Sequence, residues 1–135
     1  MSTTQKKLVF ILDDEVVIAS TLAMILRSQG IDTRSFSEPL KALEAARSQS
    51  PSLIISDVYM PSMSGIDLAI QVQNQCPECK VLLFSGQTGT RGLLEEARNS
   101  GLRFRMMAKP VYPAELLKAI DSLIGYDRPY VPSYH

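Results

Sequence analysis

Residues 52–65 read SLIISDVYMPSMSG, and Asp57 lies at the centre of this stretch. The apolar run at residues 53–55 is long enough for a buried parallel strand and too short for a helix. Pro61 and Gly65 then predict a loop. Asp57 therefore comes at the carboxyl end of a core strand, which is where open α/β sheets bind their ligands.

Similar apolar runs alternate with amphipathic helical patterns along the chain. Predicted strands cover residues 8–12, 31–36, 53–56, 80–85 and 104–108. Predicted helices cover residues 15–29, 38–48, 65–75 and 113–124, and one more lies between the glycine-containing stretch 86–92 and Gly101. We expect Gly30 to end the first helix and Ser37 to cap the second.

This alternation predicts the fold class α/β, with five βα units. Fully apolar strands separated by amphipathic helices indicate a parallel sheet that is covered on both faces. Right-handed crossovers leave few topologies, and the flavodoxin-like strand order 2-1-3-4-5 is favoured. The second strand is more polar than the others, which predicts a position near a sheet edge.

Length and composition indicate one globular domain. The chain has 135 residues, of which 45% are apolar and 21% are charged. We expect an N-terminal extension at residues 1–6, a folded domain at 7–125 and a flexible C-terminal tail at 126–135. The 14 basic and 14 acidic residues balance, which argues against direct nucleic-acid binding and against binding to a membrane. The first apolar run is too short for a signal peptide, so a cytoplasmic protein is expected.

Cys76 and Cys79 lie in the sequence QCPEC at residues 75–79. A CxxC motif is typical of a redox pair or of half a zinc site. Here no second pair of ligands follows, and the single histidine is the last residue, His135. The motif also follows a helix instead of beginning one, so no dipole stabilises a thiolate. We interpret both residues as reduced loop cysteines.

Polar side chains follow the apolar strands at their carboxyl ends. They are Asp13 and Asp14 after the first strand, Asp57 after the third, Ser85 and Gly86 at the fourth and Lys109 at the fifth. In a parallel sheet these ends lie on one edge, so the side chains can converge. Crowded carboxylates repel one another and require positive charge. Carboxylate and carbonyl oxygens select Mg²⁺ or Mn²⁺, and such a site suits phosphoryl transfer to an Asp carboxylate.

These motifs, taken in order, resemble the receiver domains of two-component response regulators, the chemotaxis-regulator type of fold. The resemblance covers about residues 7–125 and rests on ILDDE at 11–15, DVYMPSMSG at 57–65, FSG at 84–86 and AKP at 108–110. It implies that Asp57 accepts a phosphoryl group from a histidine kinase or a histidine phosphotransfer protein. It also implies a non-enzymatic signalling protein that catalyses only its own phosphorylation and dephosphorylation.

The resemblance also implies a role for each matching residue. Asp14, Asp57 and the backbone carbonyl of Tyr59 would hold Mg²⁺, and Asp13 would act through water. Ser85 would hydrogen-bond the phosphoryl oxygens, and Lys109 would pair with the phosphoryl group. The Lys109–Pro110 peptide bond is expected to be cis.

One position departs from the family pattern. The family usually has Phe or Tyr three residues before the strand-five lysine, and this chain has Met106. Strand alternation predicts that Phe104 and Met106 share one face of the fifth strand, with Phe104 further from the strand tip. Met106 is therefore the expected switch residue, with a flexible side chain in place of a ring. The expected partner surface, for an output protein or a second copy, comprises helix four, strand five and helix five.

Two other classes stay open. A pseudo-receiver would keep the fold as a constitutive binding module, although the acid pair, Asp57, Ser85 and Lys109 are all present. A Mg²⁺-dependent phosphohydrolase would usually need a second acid beside the nucleophile, and position 59 is Tyr. A flavin carrier would not place carboxylates where its phosphate binds. No output domain follows in this sequence, so we expect a stand-alone or an excised receiver.

Overall fold

The computed structural model describes residues 7–86 and 91–126. Its elements are β1 (Leu8–Leu12), α1 (Val16–Ser28), β2 (Asp32–Phe36), α2 (Pro39–Ser48), β3 (Leu53–Asp57), α3 (Gly65–Gln75), β4 (Lys80–Ser85), α4 (Arg91–Asn99), β5 (Arg105–Ala108) and α5 (Pro113–Ile124). The expected extension at residues 1–6 and nearly all of the expected tail lie outside the described residues. None of the described helices has the length and apolar character needed to cross a membrane.

The five strands form one parallel sheet in the order β2-β1-β3-β4-β5. The predicted fold class and strand order are therefore confirmed, and the polar strand β2 lies at an edge. Asp57 is level with Phe84 of β4, and Ser85 is level with Ala108 of β5. This register brings the ends of β3, β4 and β5 to the same edge of the sheet, which we call the carboxyl edge.

Two apolar layers cover the sheet because neighbouring residues of a strand point to opposite faces. Ile54, Val81 and Leu83 pack in the layer that includes residues of α2, α3 and α4. Ile55 and Leu82 pack in the other layer, which includes residues of α1 and α5. The central strands are thus buried on both faces, as their continuous apolar runs predict.

A glycine with a positive φ ends the first helix. Gly30 follows α1 with φ of 82°, and its N–H donates to the carbonyl of Arg27. The N–H of Ile31 donates to the carbonyl of Leu26, which completes a Schellman motif. Gly30 thus ends the first helix as predicted, because a residue without Cβ adopts this φ at little cost.

Several predicted boundaries were wrong. Glu38, and not Ser37, is the N-cap of α2, and its side chain makes no capping hydrogen bond. Asp57 is the last residue of β3 and does not follow it. Phe104 lies before β5, so it is not on the same strand as Met106. Cys76 and Cys79 are free cysteines in the loop between α3 and β4, as predicted, and both are buried in the core.

We predict that Leu83→Ala lowers the free energy of unfolding by about 2–5 kcal/mol, because it leaves a cavity in the core. Leu83 is 0% exposed at the centre of β4. The matched control is Leu40→Ala on α2, where the leucine is 70% exposed and the expected change is within about 0.5 kcal/mol. Urea denaturation measures both variants, and equal losses would contradict this assignment of the core.

Candidate phosphoryl-acceptor site

Asp57 is fixed at the carboxyl edge by backbone hydrogen bonds on both sides of the following loop. The N–H of Val58 donates to the carbonyl of Phe84 at 3.0 Å, and the N–H of Gly65 donates to the carbonyl of Val58 at 2.9 Å. The N–H of Tyr59 donates to Oδ1 of Asp57 at 3.3 Å. The loop therefore turns back over the strand tip and helps to orient the carboxylate.

Gly65 allows α3 to begin against this strand tip. A Cβ on Gly65 would lie 2.0 Å from the carbonyl oxygen of Asp57 and 2.8 Å from Oγ of Ser56. Ser56 is itself buried, and its hydroxyl donates to the carbonyl of Asp57 at 3.0 Å. The sequence predicted Gly65 at the end of the loop and the start of the helix, but it did not predict the close approach to Asp57, which depends on the tertiary position of the helix.

Asp13 and Asp14 follow β1 at the same edge. The N–H of Asp13 donates to the carbonyl of Phe36, which ends β2, at 3.2 Å. Oδ1 of Asp13 accepts a hydrogen bond from the N–H of Glu15 at 2.9 Å, so this carboxylate also shapes the entry to α1. Asp13 is only 3% exposed, whereas Asp14 is exposed to solvent.

The three carboxylates converge. Asp13, Asp14 and Asp57 each have a carboxylate oxygen within 4.8 Å of the other two. In the described part of the chain this is the one such group of acidic residues. Burial raises the pKa of Asp13, and the charges of Asp57 and Asp14 add to that shift, against the opposing effects of the Glu15 N–H and of Lys109. The carboxylate cluster is thus electrostatically costly and favours a cation.

Lys109 supplies one positive charge. Its Nζ lies 2.5 Å from Oδ2 of Asp57. Burial lowers the pKa of Lys109, but the hydrogen bond and the charge of Asp57 outweigh it, so that the net shift is upward. The lysine backbone N–H donates to the carbonyl of Ser85 at 3.0 Å, and the Lys109–Pro110 bond is cis. A Cβ on Gly86 would lie 2.7 Å from Cβ of Lys109, so this glycine leaves room for the lysine stem.

Ser85 and Met106 lie at different distances from the carboxylate cluster along the strands. Ser85 ends β4 and is half-buried, next to the Lys109 backbone. Met106 is level with Leu83, two residues before the partner of Ser85, and its side chain is 42% exposed. The structure therefore places Ser85 at the carboxyl edge and Met106 further back on β5.

An apolar cavity adjoins the site and was not predicted from the sequence. It has a volume of about 440 Å³ and lies between α1 and the segment after β5. Asp13 and Lys109 line one side, and Ile18, Leu22, Phe84 and Val111 are among the apolar residues that line the rest. Val16 and Val17 of α1 are exposed as well. Apolar residues at the start of a helix are the sequence signal that could have indicated this surface.

The cysteines lie away from the carboxylate cluster. Cys76 is the C-cap that follows α3, and its carbonyl accepts a hydrogen bond from the N–H of Cys79 at 2.9 Å. Burial, followed by the charge of Cys76, raises the pKa of Cys79 to about 12. The Cys79 thiol is therefore protonated at neutral pH and is a poor nucleophile.

Comparison with known proteins identifies the family. A sequence profile described as the response regulator receiver domain matches residues 9–121. The chain belongs to the response regulator receiver family. Members of this family act in two-component signal transduction and are not enzymes in the usual sense. The family therefore accounts for an acidic cluster at the carboxyl edge of this fold.

Individual relatives agree with this membership, and a solved structure has the same fold. The chain is 31% identical over 123 residues to the transcriptional regulatory protein CreB of Escherichia coli, covering 89% of this chain and 52% of CreB. It is 34% identical over 79 residues to the probable transcriptional regulatory protein TcrX of Mycobacterium tuberculosis, covering 58% of this chain and 34% of TcrX. This chain thus spans about half of CreB and a third of TcrX. The chemotaxis protein CheY4 of Vibrio cholerae has the same fold, with a TM-score of 0.77, 24% identity and coverage of 89% of this chain and 100% of that one.

We predict that Asp13→Asn stabilises the metal-free protein at neutral pH. The folded-state pKa of Asp13 lies above its ordinary value of 3.8, so the folded protein holds this proton more tightly than the unfolded chain does. The stability that protonated Asp13 contributes at low pH is lost as the pH rises through the folded-state pKa. Asparagine removes that loss while its Oδ1 can still accept from the Glu15 N–H.

Urea midpoints measured with a chelator at several pH values check this prediction. The advantage of Asp13→Asn should shrink as the pH falls towards the ordinary pKa of the carboxyl. Asp32→Asn, which changes an exposed carboxylate on β2, is the control and should differ little from wild type. An advantage that stays constant with pH would show that burial of the Asp13 charge is not its cause.

Proposed function

We propose that this chain is a phospho-accepting receiver in which Asp57 takes a phosphoryl group from a histidine kinase or a histidine phosphotransfer protein. The observation that carries the proposal is the 2.5 Å pair between Lys109 and Asp57 within a cluster of three carboxylates. Such a cluster is costly for folding alone, and perturbed titratable groups at a strand edge are typical of functional sites. We take residues 7–125 as the receiver unit, and the match over residues 9–121 supports this boundary.

The donor set fits Mg²⁺ or Mn²⁺. All three side chains offer hard carboxylate oxygens within 4.8 Å, and no thiol or imidazole belongs to the cluster. Asp14 and Asp57 would hold the cation together with the backbone carbonyl of Tyr59, and the buried Asp13 would act through water. When bound, the cation supplies positive charge that offsets the carboxylates and the phosphoryl oxygens.

The protein groups then have distinct roles in the transfer. An Asp57 oxygen attacks phosphorus, the phosphorus–nitrogen bond to the donor imidazole breaks, and its electron pair stays with the imidazole. Lys109 would pair with the phosphoryl oxygens, and the Ser85 hydroxyl and Gly86 N–H would donate to them. In this proposal the protein catalyses only its own phosphorylation and dephosphorylation.

The cavity beside Lys109 indicates how a protein donor would approach. It opens next to Asp13 and Lys109, and the exposed Val16 and Val17 extend the apolar surface along α1. We expect an apolar surface of the phosphoryl donor to pack there. The downstream partner, an output protein or a second copy, would use the face formed by α4, β5 and α5. A cytoplasmic location stays a prediction.

Two alternatives make different predictions. Relatives such as MtrA of Mycobacterium tuberculosis are described as DNA-binding response regulators, and this chain spans 50% of that protein. We expect no direct nucleic-acid contact from the described residues of this chain, since its charges balance. A pseudo-receiver would not become phosphorylated. A phosphohydrolase would turn over a substrate, yet Tyr59, 67% exposed, occupies the position where its second acid would lie.

We predict that acetyl phosphate or phosphoramidate with Mg²⁺ adds one phosphoryl group, and that Asp57→Asn abolishes the labelling. Intact-mass measurement detects the adduct, which should be labile to base and to hydroxylamine because it is an acyl phosphate. Asp67→Asn, at an exposed carboxylate in the first turn of α3, should be labelled like wild type. Full labelling of Asp57→Asn would place the acceptor elsewhere, and no labelling of wild type would favour the pseudo-receiver.

We further expect Asp14→Ala to weaken Mg²⁺ binding at least about tenfold, because the cation is held by few protein ligands and loses one of them. A tenfold weaker affinity corresponds to a loss of ~1.4 kcal/mol in binding free energy. The same variant should raise the stability of the metal-free protein by relieving repulsion. Calorimetric titration and urea denaturation measure the two effects. Glu78→Gln, at the opposite edge of the sheet, is the control, and an unchanged titration for Asp14→Ala would remove Asp14 from the ligand set.

Met106 is the proposed switch side chain. It lies on β5 two residues before the partner of Ser85, and it is already 42% exposed. Methionine is flexible, so the two states of the switch should be separated by a smaller free-energy gap than two positions of an aromatic ring. We therefore expect the partner surface to be partly competent before phosphorylation.

We predict that a beryllofluoride phosphoryl mimic changes partner affinity or self-association less in wild type than in Met106→Tyr. Sedimentation and binding titrations with and without the mimic measure the change. Leu40→Tyr, at another exposed apolar position, controls for adding a ring to the surface. A large mimic-induced change in wild type that Met106→Tyr leaves untouched would show that Met106 is not the switch.

A further inference from the structure

The amino ends of the strands form a second surface, at the opposite edge from Asp57. Two adjoining cavities of about 570 and 860 Å³ lie there and share Pro77, Glu78, Cys79, Lys80 and Leu123. We call the combined depression the amino-edge groove. It is independent of the proposed phosphorylation chemistry, because none of the carboxyl-edge site residues lines it.

Four cationic side chains line the amino-edge groove. They are Lys7, Lys80, Arg103 and Arg105, and all four residues are exposed. Glu78 is the one carboxylate among the lining residues. Within the described residues the ion pairs are Lys41–Glu38 and Lys109–Asp57, so none of the four cations is paired with a carboxylate. A chain with zero net charge thus carries a concentrated positive charge at this edge.

Two of these cations are held in place by the backbone. Nη2 of Arg103 donates to the carbonyl of Pro77 at 2.7 Å, and the carbonyl of Arg103 accepts from the Gln73 side chain at 2.8 Å. Nζ of Lys7 donates to the carbonyl of Ile124 at the end of α5. Each bond uses one N–H donor of the cationic group and leaves its charge at the edge of the groove, which we call the rim. The positive charge of the rim is therefore partly fixed in place before a partner binds.

The floor of the groove is uncharged, and apolar side chains form part of it. Val81 and Cys79 are buried in it, and Phe104 and Leu123 are half-buried along it. The raised pKa of Cys79, about 12, keeps its thiol neutral at physiological pH. An occupant that is complementary to this surface therefore needs apolar side chains for the floor and negative charge for the rim.

We propose that the amino-edge groove binds a polypeptide segment that carries both acidic and apolar side chains. Inorganic phosphate is far too small for a groove of this volume. A nucleic acid would place its phosphates on the rim but would leave the apolar floor without a partner, since no run of exposed aromatic rings is present among the lining residues to stack bases. A peptide satisfies both surfaces, with charge giving orientation and apolar contact giving affinity.

Fluorescence anisotropy of a labelled peptide of alternating glutamate and leucine, titrated with the full chain, tests this proposal. We expect saturable binding that weakens as salt increases. Lys80→Gln combined with Arg105→Gln should weaken binding about fivefold, because exposed rim pairs contribute little each. The matched control, Lys41→Gln with Lys118→Gln, removes the same charge elsewhere and should bind like wild type. A peptide with serine in place of leucine should bind more weakly.

Three outcomes would overturn the proposal. Equal loss in the two double variants would show that only net charge matters. Displacement of the peptide by single-stranded DNA at an equal concentration would identify a nucleic-acid surface. Concentration-dependent self-association that Lys80→Gln with Arg105→Gln abolishes would identify a second copy as the occupant. Labelling of Asp57 by acetyl phosphate is measured separately, so failure here leaves the proposed function untouched.

Discussion

The pair between the Lys109 ammonium and the Asp57 carboxylate is the interaction on which the carboxyl edge depends. The three carboxylates of Asp13, Asp14 and Asp57 have ligand oxygens within 4.8 Å of one another. Without Lys109, no cationic side chain among the described residues would offset their charge. Burial is the main cause of the upward pKa shift of Asp13, and the charges of Asp57 and Asp14 add to that shift although Lys109 opposes it. A site that is costly to fold and attractive to cations is suited to binding a metal ion and a phosphoryl group.

Two glycines allow close approaches of backbone and side chain at this edge. Gly65 brings the start of α3 against the carbonyl of Asp57, and Gly86 leaves space for the stem of Lys109. Either approach would be blocked by a Cβ. The packing at this edge thus depends on two positions without a side chain, and strand pairing keeps Asp57 level with Phe84 and Ser85 level with Ala108.

The charges of the molecule are separated along the strand direction. Acidic residues collect where β1 and β3 end, and basic residues collect where β1, β4 and β5 begin. One edge thus suits cations and phosphoryl chemistry, while the other suits an anionic partner. Met106 belongs to neither edge, because it is exposed on β5 between them.

The sequence alone determined the α/β class, the order of the elements and the residues at the strand tips, because apolar periodicity and glycine or proline breaks are local signals. It misplaced the cap of α2, the end of β3 and the start of β5, since each boundary depends on which neighbouring backbone groups are available. The sequence also did not predict the burial of Cys76 and Cys79, because their neighbours Pro77 and Glu78 indicate an exposed turn. Only the tertiary structure decided the spacing of the three carboxylates, the reach of Lys109 and the amino-edge groove, because these arise between residues far apart in the chain.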